Sequence, residues 1–110
     1  TSLSGSFKIE GTLKGDEIYL KPLGDCFINK INGGDILVES RGTNLFSIGG
    51  SGSLRCTSIK GDEIYLENTR ADLVEGDKVK IGPNCKIDSV KAENLKVHES
   101  STIKNKKKNR

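Results

Sequence analysis

One seven-residue stretch, KGDEIYL, occurs twice, at Lys14–Leu20 and at Lys60–Leu66, 46 positions apart. Both copies belong to a wider frame: apolar, any, small, polar, any, apolar, any, apolar. Anchored on the first apolar residue, the frame recurs at Leu13, Ile31, Ile59, Val74 and Val90, in steps of 18, 28, 15 and 16 residues. The final apolar pair of each unit is Ile18/Leu20, Ile36/Val38, Ile64/Leu66, Val79/Ile81 or Leu95/Val97. A period of two means extended backbone with alternate side chains on one face. Upstream of most anchors lie two more apolar slots: Cys26 and Ile28, Leu54 and Cys56, Ala71, then Cys85 and Ile87.

Each unit therefore has three short extended edges and cannot bury its apolar residues alone. Stacked units can, with each coil lying on the next and equivalent side chains lining one column. The pattern predicts an all-β fold, a parallel β-helix of about five to six short coils. The core column it predicts runs through the five anchors, the five final pairs, and Ile28, Cys56 and Ile87. An ordinary antiparallel barrel or sandwich would explain the strand lengths but not the recurring frame. A small residue stands between anchor and final pair in every unit: Gly15, Gly33, Gly61, Gly76 or Ala92. The chain has to turn there, and glycine reaches backbone angles that other residues resist. Across the step of 28, Ser40–Ser53 reads as a degenerate coil, with an inserted loop as the alternative.

The composition suits a narrow column. Only 33% of the 110 residues are hydrophobic and 5% aromatic, with no Trp or Met. The formal net charge of +3 comes from the last seven residues, KNKKKNR, and the body is slightly acidic. The sequence divides into a flexible end (1–5), a β-helix domain (6–103) and a disordered basic tail (104–110). The tail has no interleaved aromatics to stack bases, which argues against sequence-specific nucleic-acid recognition. No stretch approaches the length of a membrane span and no signal peptide is visible. The three cysteines lack the close pairs of a zinc site. Cys26, Cys56 and Cys85 all fall in inward slots, as free, buried thiols of a reducing cytoplasm.

The frame also predicts what faces out. Between the final pair stand Tyr19, Leu37, Tyr65, Lys80 and Lys96. Between the upstream slots stand Phe27, Arg55, Arg70 and Lys86, with Ile9 as the N-terminal counterpart. Tyr19, Phe27 and Leu37 form a candidate contact patch, and Arg55, Arg70 and Lys86 a candidate basic ladder.

From Gly61 to Val90 the sequence GDEIYLENTRADLVEGDKVKIGPNCKIDSV resembles the bactofilins, polymer-forming bacterial cytoskeletal proteins. The likeness is greater to a Firmicutes-type branch, in which a stretch such as IGGSGS (Ile48–Ser53) precedes a run of this kind. The resemblance covers roughly Ser6 to Ile103. It implies a right-handed β-helix that polymerises without nucleotide through its coil ends. It also implies a non-enzymatic scaffold in the bacterial cytoplasm, with other copies and other bactofilin-type proteins as partners. The apolar N-terminal tail that carries some members to the inner face of the membrane is not visible here, so membrane attachment stays open.

Two other classes compete with the scaffold. A binding module would use the basic ladder and tail on a polyanion or acidic partner. A hexapeptide-type acyltransferase would need a general base, usually His, and His98 is the only one. The carboxylate pairs Asp16/Glu17 and Asp62/Glu63 recur beside glycine in one slot of the frame, where turn residues explain them better than acid–base or calcium chemistry. No catalytic residue, metal site or cofactor is expected.

Overall fold

The computed structural model describes residues 2–22, 24–39 and 53–108. Among them there is no helix. Eight strands follow in order: β1 (Ser2–Gly5), β2 (Lys8–Pro22), β3 (Asp25–Val38), β4 (Ser53–Lys60), β5 (Glu63–Leu66), β6 (Thr69–Ile81), β7 (Lys86–Val97) and β8 (Thr102–Lys108). All pairing is parallel, in the order β1-β2-β3-β4-β6-β7-β8, with β5 between β3 and β6. The result is a parallel β-solenoid of about five turns.

The anchors stack in register: Leu13 opposite Ile31, Ile31 opposite Ile59, Ile59 opposite Val74, and Val74 opposite Val90. Ile31 pairs directly with Ile59, so the step of 28 rises by one rung only. A degenerate coil between the two would need a rung that the pairing does not contain. Residues 40–52 themselves lie outside the described residues.

The irregular steps have one origin. From the first inward slot to the last, each of the last four coils spans thirteen residues: Cys26–Val38, Leu54–Leu66, Thr69–Ile81 and Cys85–Val97. The segments that connect these frames hold 5, 15, 2 and 3 residues (21–25, 39–53, 67–68 and 82–84). The variation in anchor step lies between these frames, which leaves the stacked edges of these four coils constant. At two of these corners an asparagine takes a left-handed conformation, Asn68 at φ 49° and Asn84 at φ 60°, a region that Asn tolerates better than most residues.

Within the column, Ile18, Leu20, Ile28, Ile31, Ile36, Val38, Cys56, Ile59, Ile64, Leu66, Val74, Val79, Ile81, Ile87 and Val90 are buried. Leu13, Leu95 and Val97, in the outer coils, are half-buried against it. Cys26, Leu54, Ala71, Cys85 and Ala92 complete the buried set. Each large aliphatic residue so removed from water stabilises the stack by about 1.5–3 kcal/mol before chain entropy is charged against it.

Steric approach, not backbone angle, demands glycine at the repeated corner. A Cβ on Gly33 would lie 2.6 Å from the carbonyl oxygen of Gly15. On Gly61 it would lie 2.8 Å from that of Gly33, and on Gly76 2.6 Å from that of Gly61. None of these three has a positive φ; among the described glycines Gly5 does. Between these rungs the approach is too close for a side chain, whereas one rung on, Ala92 fits the same slot opposite Gly76.

Two expected boundaries and one expected facing shift. Ser2–Gly5 is not a loose end: it pairs with Tyr19–Pro22 as β1, and Leu3 packs against the core. The basic tail is strand as far as Lys108, because the free edge of β7 supplies backbone partners whatever the side chains are. Ile103 covers Ile87, and exposed lysines can keep their charged ends in water. Thr1, Asn109 and Arg110 lie outside the described residues. Finally, Ile9 faces in, opposite Ile28, and Lys8 takes the outward place opposite Phe27. A register shift between Ile9 and Thr12 adds a residue there, and a one-residue slip exchanges faces.

Candidate functional site

The solenoid presents charged and aromatic side chains as ladders, one residue per rung. The first edge of each coil carries Lys8, Phe27, Arg55, Arg70, Lys86 and Thr102 in register. The third edge carries Tyr19, Leu37, Tyr65, Lys80 and Lys96. The third edge turns basic in the later coils, and the first is basic at Lys8 and from Arg55 to Lys86. Adjacent strands stand about 4.8 Å apart, so each ladder is a row of evenly spaced groups along the axis.

The candidate contact patch divides between these two edges. Tyr19 and Leu37 are direct neighbours on the third edge, half-buried. Phe27 lies on the first edge, between Lys8 and Arg55, where it borders a groove shared with Arg70 and Asp72. The candidate basic ladder is brought together: Arg55, Arg70 and Lys86 are exposed on consecutive rungs. Asp72 and Asp88 line the same groove, and Lys104 beside them lies 3.9 Å from Asp88.

A third ladder, of carboxylates, follows the glycine corner. The Asp77 N–H donates to the Asp62 carbonyl at 3.1 Å, and the pairs Gly76–Ala92 and Lys78–Asn94 place Asp77 opposite Glu93. Asp62, Asp77 and Glu93 are exposed. Glu63 is 3.8 Å from Lys78. Among the described residues no group of three His, Cys, Asp or Glu side chains could hold a metal ion.

Two features escape sequence reasoning. Glu67 is fully buried at the variable corner, where its carboxylate accepts the Tyr65 hydroxyl hydrogen at 2.5 Å. Lys80 stands 5.6 Å from the centre of the Tyr65 ring, within cation–π range. The signal for the latter was in the frame, since Tyr65 and Lys80 fill one slot of successive coils. Nothing in the pattern marks Glu67, which falls outside the repeated thirteen residues.

The thiols are buried and free. Burial pushes the Cys56 thiol from 9.0 up to about 12, and it donates to the Ser58 carbonyl at 3.2 Å. Burial likewise raises Cys85. Both stay protonated near neutral pH and are poor nucleophiles. His98 is exposed, with Nδ1 2.8 Å from Ser100 Oγ and accepting the Ser100 N–H at 3.1 Å. Among the described residues no helix is long and apolar enough to cross a membrane.

The chain is similar to two curated proteins of Bacillus subtilis (strain 168). It is 38% identical over 84 residues to Uncharacterized protein YhbF and 35% identical over 86 residues to Uncharacterized protein YhbE, in each case over 76% of this chain. It spans 35% and 36% of their respective lengths, about a third of the curated relatives it matches. No protein-family model and no solved structure matches the chain.

Proposed function

We propose that the chain is a non-enzymatic, self-assembling scaffold that joins copies of itself through its end coils. The observation that carries this reading is the in-register parallel stack, whose outer described rungs another copy can extend by the same pairing. Among the described residues β1 pairs only with β2, and β8 only with β7. An outer strand of this kind presents a row of backbone N–H and C=O groups to another chain. The apolar column reaches the outer coils, where Leu3, Leu13, Leu95, Val97 and Ile103 remain partly exposed. The resemblance to bactofilins supports the same reading and adds a bacterial cytoplasmic setting, with bactofilin-type proteins as further partners. The protonated thiols and the solvated His98 offer little to an acyltransferase mechanism.

Negative-stain microscopy and light scattering of the purified protein test the proposal. Rods longer than one protomer are expected, growing with concentration. A strict monomer at high concentration would overturn it.

A further inference from the structure

Each of three consecutive coils carries an exposed cation on its first edge and an exposed carboxylate at its glycine corner, seven residues later. The pairs are Arg55 and Asp62, Arg70 and Asp77, and Lys86 and Glu93. Among the described residues none of these six groups has an ion-pair partner within 4.0 Å. Like charges directly opposite on neighbouring strands repel, a repulsion softened by Asp72 and Asp88 beside the basic ladder and by Lys60 beside the acidic one. Within a coil the two cannot neutralise each other. In a three-edged coil the corner between the second and third edges stands across the core column from the first edge. The grooves beside the two ladders accordingly share no residue.

We propose that the basic ladder docks laterally on the carboxylate ladder of a second copy of this chain. The two ladders stand on the same three rungs, so they share the spacing of about 4.8 Å. Apposed side by side they match one to one, a fit that an unrelated polyanion has no reason to show. Asp72 and Asp88 lower the net charge of the basic groove, which favours a short three-rung match over a long, uniformly charged polymer. Cation face and acidic corner are different surfaces, so the contact is heterologous and does not close on a pair. Rods joined this way form side-by-side arrays. Exposed ion pairs are individually weak and screened by salt, so the arrays are reversible and strengthen with the number of rungs engaged.

This contact is independent of end-to-end joining, and complementary charge reversal separates the two. Sedimentation velocity and negative-stain images are compared for the wild type, for Arg55→Glu with Arg70→Glu, and for Asp62→Lys with Asp77→Lys, each checked for folding by circular dichroism. Lateral pairs are expected in the wild type at low salt and lost at about 0.5 M salt. Each folded double variant alone should associate laterally on the order of tenfold more weakly, and an equimolar mixture of the two should recover the arrays. Loss of end-to-end rods with lateral pairs retained would remove the end-coil reading and leave this one standing. Lateral association unchanged in either variant, or no recovery in the mixture, overturns the inference. Binding of inorganic polyphosphate to the wild type without lateral association does so too, by making the occupant a polyanion.

Discussion

Lys106 lies directly opposite Val90 in the anchor column that every earlier coil fills with an aliphatic residue. Val90 is fully buried, and Lys106 is exposed. An inward-register charge on an outer strand weakens further strand addition, so end-to-end joining through β8 is held weak and depends on concentration. In-register stacking of another coil on β8 would bury the Lys106 ammonium in an apolar column, at a cost of several kcal/mol. Lys106→Leu should therefore increase association at this end and raise stability by up to about 1 kcal/mol. Sedimentation velocity across a concentration series checks the first and urea unfolding the second. An unchanged weight-average mass would show that Lys106 does not limit joining at this end.

The glycine corner gives a sharp contrast between two substitutions. A Cβ at residue 61 would meet the Gly33 carbonyl oxygen at 2.8 Å and Ile36 Cδ1 at 2.9 Å, whereas at Gly11 nothing lies within 4 Å. Gly61→Ala should cost about 1–3 kcal/mol, as overpacking against backbone does. Gly11→Ala should be neutral or slightly stabilising, because it removes freedom from the unfolded chain. Equilibrium urea unfolding of both variants settles the comparison, and equal effects would mean that the rungs relax apart at the corner.

The buried thiols make stability fall in alkali. Unfolded, the Cys56 thiol ionises near 9.0; folded, it holds its proton up to about 12. Between those values the unfolded state sheds a proton that the native state keeps, so stability declines as pH rises. The slope from this one thiol is about 1.4 kcal/mol per pH unit above 9. Other groups titrate in the same range, so the comparison is with Cys56→Ala. The variant should start less stable at pH 8 and lose less between pH 9 and 10.5. Parallel losses in both proteins would exclude the thiol as the source.

The stack was legible because its rungs are set by an exact side-chain alternation that survives in the sequence. Leu13, Ile31, Ile59, Val74 and Val90 recur in one frame, and the outward ladders follow from it. What stayed hidden depends on distances that no periodicity encodes. The register shift after Ile9 is a single added residue, and it moved Lys8 to the outside. The separation of Phe27 from Tyr19 and Leu37 follows from which edge each occupies, which outward direction alone does not tell. Backbone pairing on β8 depends on the free edge of β7 rather than on any apolar pattern in a lysine-rich segment. The glycines were correctly placed at the corner, but the reason for them is carbonyl approach between rungs.

Glu67 offers the most informative single contact outside the repeat. Its carboxylate is fully buried and takes the Tyr65 hydroxyl at 2.5 Å, while Thr69 Oγ1 donates to its backbone carbonyl at 2.9 Å. This corner holds two residues, the shortest connection in the stack, so side-chain bonds have to hold the turn. Removing the hydroxyl with Tyr65→Phe takes one charge-assisted bond from a buried carboxylate, which should cost about 1.5–3 kcal/mol. Tyr19→Phe, at the same slot of an earlier coil, is the control and should change stability by less than about 0.5 kcal/mol. Thermal and urea unfolding of the two variants measure the difference. If both cost the same, the Tyr65–Glu67 bond does not hold the corner.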